Sequence, residues 1–292
     1  MARESQLVLG VDPDPDALWP RAQARAQEGG PLDVRLGAAF TEQGRALIDA
    51  TAPACVGVKL QLACFERLGA AGWDALRTLT DHARQAGLLV IADGKRGDIP
   101  VSAAAYADAL LGDTESAWGT APGLGVDAAT VNPLMGTDAL VPFVDAARAG
   151  GRGLFVLVRT SNPGAADIQE LELAGGGRVW ERLATLVDQL GEGEVGEHGL
   201  SSVGAVVGAT APEHLIRLRE LMPHAVFLLP GVGAQGGSVG ELAPAFGPGR
   251  AGALITASRA IAQAHLARGG APEAAARAQA EQLRAQAWDL PV

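Results

Sequence analysis

Short, unbroken runs of apolar residues recur along the chain, separated by longer stretches that carry apolar residues on one helical stripe. The runs at residues 7–12 (LVLGVD), 55–59 (CVGVK), 88–93 (LLVIAD), 128–132 (AATVN), 154–159 (LFVLVR), 203–208 (VGAVVG), 226–230 (VFLLP) and 253–256 (ALIT) read as eight strands. Apolar and polar positions do not alternate within them, as expected of strands buried on both faces of a parallel sheet. Eight such strands alternating with helices predict an α/β protein, a (β/α)8 or TIM barrel forming a single domain over residues 1–292. An open, doubly wound sheet has the same alternation, and strand count alone does not separate the two.

The intervening segments 41–51, 69–86, 101–111 and 271–288 read as helices. Thr41 stands where an N-cap would, but Gly44 rather than Glu follows three residues later, so the capping box is only partial. Two segments look like insertions. Residues 13–38 are rich in proline, glycine and charge, and the glycine-rich stretches 175–177 and 191–199 flank a further helix-like piece.

Composition narrows the class. At 48% hydrophobic and 19% charged residues the chain is expected to fold, not to stay disordered. A formal net charge of −10 argues against a nucleic-acid surface, yet leaves room for a small anionic substrate held by a few local cations. Cys55 and Cys64 are too few for a disulfide framework or a metal cluster and read as free thiols in a reducing compartment. The apolar run after Arg3 and Glu4 is too short for a signal-peptide core, and the uncharged stretch 221–240 is broken by Pro223 and Pro230. The expectation is a soluble, cytoplasmic protein without membrane segments. His82, His198, His214, His224 and His265 show no metal-ligand spacing, and the tryptophans read as packing residues.

The chemistry lies at the strand ends. Asp12, Lys59 and Asp93 close otherwise apolar runs, and a charge there is costly unless paired or used. The densest segment, IADGKRGDIPVS, puts Asp93, Lys95 and Asp98 directly after a buried run. On an extended chain Asp93 and Lys95 would point the same way. The bland alternative is a turn with a surface lysine. Gly231 and Gly233 would let backbone N–H groups approach an anion, with Arg259 as a bidentate cation, in the two loops where barrels commonly hold phosphate. Two ordinary βα turns are the competing reading.

The run Asp93-Gly-Lys95-Arg-Gly-Asp98-Ile99-Pro100 resembles the signature of the orotidine 5′-phosphate decarboxylase family, in its longer bacterial branch. Other motifs agree in order: Lys59 in VGVKLQLACFE, Ser161 in TSNPGA, Pro230 and Gln235 in LLPGVGAQGG, and Arg259 in ITASRAI. Two positions depart from the family pattern. Ser102 stands where threonine is frequent, which keeps the hydroxyl and loses the methyl, and Ser258 stands where many relatives have glycine.

The resemblance implies loss of CO2 from orotidine 5′-phosphate to give UMP, without metal or organic cofactor. Lys95 would protonate C6 in an alternating network with Asp93, Asp98 and Lys59. Asp12 and Lys59 would hold the ribose, Ser161 the pyrimidine, and Gln235 and Arg259 the phosphate side, with Ile99, Ser102, Pro230 and Ser258 lining the site. It also implies a homodimer in which Asp98 reaches the neighbouring subunit's site. Two other readings stand beside it. Metal-dependent sugar-phosphate relatives such as 3-keto-gulonate 6-phosphate decarboxylase or hexulose-phosphate synthase share the Asp-x-Lys-x-x-Asp run, but need a carboxylate where this chain has Lys59. A nucleotide-binding module without catalysis would gain nothing from two carboxylates beside an anionic ligand.

Overall fold

The structure, a computed structural model, describes residues 4–233 and 236–291. Its strands are β1 (Leu7–Val11), β2 (Gly57–Gln61), β3 (Leu89–Arg96), β4 (Asp113–Ser116), β5 (Gly119–Pro122), β6 (Ala128–Val131), β7 (Gly153–Arg159), β8 (Ser201–Val207), β9 (Ala225–Leu229) and β10 (Ala253–Ala257). Eight of them close into a barrel in the order β1-β10-β9-β8-β7-β6-β3-β2, and β4 and β5 form a separate antiparallel pair. All eight expected strands are present, and the closed order excludes the open sheet. The chain divides into two compact units, Met1–Gly94 with Ala257–Gln286, and Lys95–Thr256 with Ala287–Val292.

In the first unit β1 is buried along its whole length and pairs in parallel with β2, which pairs in turn with β3. The helix Leu32–Thr51 begins well before residue 41, because Gly37, Ala39 and Phe40 already belong to its buried face. Thr41 is therefore a mid-helix residue, its hydroxyl donating to the Gly37 carbonyl at 2.9 Å, and caps nothing. The supposed insertion 13–38 is in large part ordered structure, with a short helix Pro20–Ala26 ahead of the long one. Trp19 anchors it: its backbone N–H donates to Gln43 at 2.8 Å and its indole N–H to the Ala262 carbonyl at 2.9 Å. The helices Ala70–Gln85 and Pro272–Trp288 lie within a residue or two of their expected limits.

In the second unit the parallel run β6-β7-β8-β9-β10 is apolar and mostly buried, as at Val131, Phe155, Val156 and Phe227. The helices Pro100–Leu110, Thr137–Gly150, Val179–Gly191 and Leu215–Leu221 follow their strands. The hairpin β4–β5 escapes a reading based on apolar runs because all its residues are exposed. Trp118 at its tip is 96% exposed, so this tryptophan does not pack, unlike Trp19 and Trp180. Cys55 is buried and Cys64 half-buried, and neither is in a disulfide. Among the described residues no helix is long and apolar enough to cross a membrane.

Candidate active site

Strand register builds the charged end of the first unit. β2 runs on to Gln61, so Lys59 lies inside the strand, not at its end. The pairing Gln61↔Asp93 then brings the side chains of Lys59, Gln61 and Asp93 together. Lys59 Nζ donates to Asp93 Oδ2 at 2.5 Å, Gln61 Nε2 donates to the same oxygen at 3.3 Å, and Asp12 Oδ1 lies 4.0 Å from Nζ. Both charged side chains of the closest pair are only 6% exposed. Burial by itself disfavours the Lys59 ammonium, but the carboxylates of Asp93 and Asp12 outweigh it and hold the group above its ordinary range. Lys59 is thus a fixed buried cation between two carboxylates.

Beside Asp12 a cavity of about 290 Å³ is lined by Gly10, Gln43, Ser258, Arg259 and Gln263. Ser258 precedes the short helix Arg259–Ala262, which places Arg259 at its first residue. Gly10 makes this packing possible, since a Cβ there would sit 1.8 Å from Ser258 Oγ. Ser258 is thus accommodated by a glycine in β1.

In the second unit Lys95 is the one described non-glycine residue with a positive φ, at 48°. A left-handed lysine costs roughly 1–3 kcal/mol and persists only where its surroundings enforce it. Here its backbone N–H donates to Thr130 Oγ1 at 2.9 Å, a hydroxyl only 1% exposed in β6. Regular extended geometry therefore does not run from Asp93 through Lys95, and the simple alternation expected from sequence fails at the lysine. On the far side the Asn132 N–H donates to the Arg96 carbonyl at 2.7 Å, and the Arg96 guanidinium lies 5.3 Å from the centroid of the Tyr106 ring. Asp98 turns back to accept the Ile99 N–H at 2.7 Å, just ahead of the helix whose first turn carries Ser102.

The remaining expected residues follow β7 and β9. Ser161 lines an open cavity with Arg159, Asn162 and Thr210. The Pro230 carbonyl accepts the Ala209 N–H at 2.8 Å, and Gly231 and Gly233 both have the positive φ that favours glycine. The Gly233 N–H donates within its own loop to the Gly237 carbonyl at 3.0 Å. Gln235 lies outside the described residues. Direct contact joins Asp12, Lys59 and Asp93, while Asp98, Ile99 and Ser102 share the start of one helix. Gln61 and Thr130 were missed by sequence reasoning. Thr130 had a faint signal, as a hydroxyl inside an apolar strand. Among the described residues no group of three or more His, Cys, Asp or Glu side chains could hold a metal ion.

A closed β/α barrel that buries a carboxylate–ammonium pair within its apolar strands is the architecture of a barrel enzyme working through charge. The sequence profile of the "Orotidine 5′-phosphate decarboxylase / HUMPS family" matches residues 5–278. An orotidine 5′-phosphate decarboxylase of Rhodopirellula baltica is 46% identical over 231 residues, 78% of this chain and 74% of that one. The enzyme of the same name from Deinococcus radiodurans is 44% identical over 277 residues, 94% and 90% of the two chains. The structure of Leishmania donovani UMP synthase superposes with a TM-score of 0.71 at 33% identity, over 97% of this chain and 54% of that longer one. The chain belongs to the orotidine 5′-phosphate decarboxylase family, in its longer bacterial branch.

Proposed function

We propose that this chain converts orotidine 5′-phosphate to UMP with loss of CO2, and that Lys95 is the proton donor to C6 within an Asp/Lys charge network. The observation that carries this reading is the buried ion pair of Lys59 and Asp93 on the strand that leads, two residues later, to the left-handed Lys95. The C6–carboxylate bond breaks, its electron pair stays on C6 as CO2 departs, and a proton from the Lys95 ammonium then forms the C6–H bond. The ring π-system cannot delocalise that pair, so the barrier reduction must come from fixed charge, roughly 20 kcal/mol or more. Asp93, placed near the departing carboxylate, raises the ground state, and the repulsion vanishes as CO2 becomes neutral. Lys59 holds Asp93 in place through their hydrogen bond, its own charge secured by two carboxylates.

Arg259 and the turn at Gly231 hold the phosphate in this reading, the Gly233 N–H being engaged by the Gly237 carbonyl; Asp12 and Lys59 hold the ribose hydroxyls and Ser161 the pyrimidine, with Ile99, Ser102, Pro230, Gln235 and Ser258 as further candidate substrate contacts. Phosphate binding energy far from C6 contributes to desolvation and orientation at the reacting carbon. Asp98 completes the network from a neighbouring copy in a homodimer. Ile99 and Val101, 54% and 81% exposed beside it, support that placement, since apolar side chains in solvent mark a surface to be covered. Cysteines outside any disulfide fit a reducing, cytoplasmic setting. Lys59, standing where metal-dependent relatives need a carboxylate, supports chemistry without metal or organic cofactor.

The test is the ultraviolet absorbance change of orotidine 5′-phosphate mixed with purified protein in EDTA. Conversion to UMP is expected, and Lys95→Ala should abolish turnover while retaining UMP binding. A folded preparation that binds UMP tightly without turnover would overturn the reading in favour of a nucleotide-binding module. Activity restored only by Mg²⁺ would favour the metal-dependent relatives.

A further inference from the structure

The segment after β7 is held by side chains that the mechanism above does not use. The Thr160 N–H donates to Gln169 Oε1 at 2.8 Å, and Gln169 Nε2 donates back to Thr160 Oγ1 at 2.9 Å. One amide thus grips one residue at two points. Because Thr160 Oγ1 accepts from Gln169, its own proton is directed to Asn162 Oδ1 at 2.7 Å. The second arm runs through the neighbouring residue. Arg159 Nη1 donates to the Thr160 carbonyl at 2.5 Å, and Arg159 Nε donates to Glu170 Oε1 at 2.7 Å. Arg178 Nη1 donates to the other Glu170 oxygen at 2.6 Å, and His214 Nε2 lies 3.1 Å from Oε1. Burial alone would raise the Glu170 carboxyl, but the hydrogen bonds from Arg159 and Arg178 and the nearby His214 bring it down to about 2.

Ser161 is enclosed from the other side as well. The Thr210 hydroxyl donates to the Ser161 carbonyl at 3.0 Å, and a Cβ on Gly208 would come within 2.7 Å of Ser161 Cα. The backbone on the two sides of the serine side chain is therefore held by Arg159 and Gln169 on one side and by Thr210 on the other. We propose that Gln169 and Glu170 are positioning residues, a two-armed brace that sets Ser161 where it can read the pyrimidine edge of the substrate. This rests on the reading of Ser161 as the base contact. A neutral hydroxyl discriminates by position, so its recognition depends on how firmly its backbone is held, and a misplacement of about 1 Å can cost on the order of 100-fold in rate.

The test combines Gln169→Met, Gln169→Glu and Ser161→Ala, with the double variant of Gln169→Met and Ser161→Ala. Readouts are kcat and KM for orotidine 5′-phosphate and the inhibition constant of ribose 5-phosphate, which lacks the base. Gln169→Met should lower kcat/KM by about 10- to 100-fold with ribose 5-phosphate inhibition unchanged. Gln169→Glu, which keeps an acceptor for the Thr160 N–H, should recover part of the loss. On the Ser161→Ala background Gln169→Met should add less than about 2-fold, because coupled residues are non-additive. Thr160→Val, which removes only the hydroxyl arm, gives the same comparison if Gln169→Met does not fold. Parental kcat/KM in Gln169→Met, or a loss that multiplies in full with that of Ser161→Ala, would overturn the brace. A silent Ser161→Ala would instead remove Ser161 from base recognition, and the brace with it.

Discussion

Replacing Lys59 by methionine removes a buried cation while nearly preserving its volume, and the structure specifies the consequence. Asp93, 6% exposed on its side chain, loses an ion partner at 2.5 Å. Breaking a buried pair by removing one member destabilises by about 3–5 kcal/mol, because the other charge stays desolvated. For a domain of this size each kcal/mol shifts the melting temperature by about 2–4 °C, so Lys59→Met should melt about 6–20 °C below the parent at pH 8. The pH dependence has a definite sign. Lys59 is raised above its usual 10.5, so its stabilisation of the parent is fully present below that value and lost only as pH rises through the higher folded value. The variant behaves oppositely: Asp93 gains by taking up a proton, so the deficit at pH 8 should shrink toward pH 5. Adding Asp93→Asn to Lys59→Met should recover more than half of the loss. Thermal and urea denaturation at both pH values measure all of this. A Lys59→Met protein within about 1 kcal/mol of the parent at pH 8 would refute a coupled buried pair.

If Arg259 holds the phosphate as proposed, Arg259→Ala should lower kcat/KM by about 100- to 1,000-fold, with the melting temperature nearly unchanged because the side chain is exposed and outside the core; unchanged kinetics would remove Arg259 from the proposed phosphate site. Thr130→Val keeps the shape of a buried β-branched residue and deletes the acceptor of the Lys95 N–H. It should reduce kcat by about 10-fold or more with little change in KM, while Thr130→Ser restores activity; equal kcat in Thr130→Val and the parent would show that Lys95 is aimed by other contacts.

The barrel was legible because its strands are unbroken apolar runs, and burial on both faces leaves a pattern that depends on no partner's identity. Asp12, Asp93 and Lys95 were legible for the complementary reason, as charges that stand out against those runs. Helix ends were less so. The start at Leu32 depends on the buried face formed by Gly37, Ala39 and Phe40, not on a capping signal at Thr41. The hairpin β4–β5 has no apolar run at all and is defined by backbone pairing between exposed residues.

What the chain by itself determined, then, is which elements form and which residue types end them, since both follow from local burial and from the cost of a charge in an apolar run. The tertiary structure decided the rest through contacts between residues far apart in sequence. The Lys59–Asp93 pair exists because the β2–β3 register sets Gln61 opposite Asp93. The left-handed Lys95 bonds to a hydroxyl 35 positions further along the chain, and the grip on Thr160 comes from a glutamine in an irregular segment with no periodicity to reveal it. Register, strain and two-point hydrogen bonds are relations between segments, and they acquire a geometry only when the segments meet.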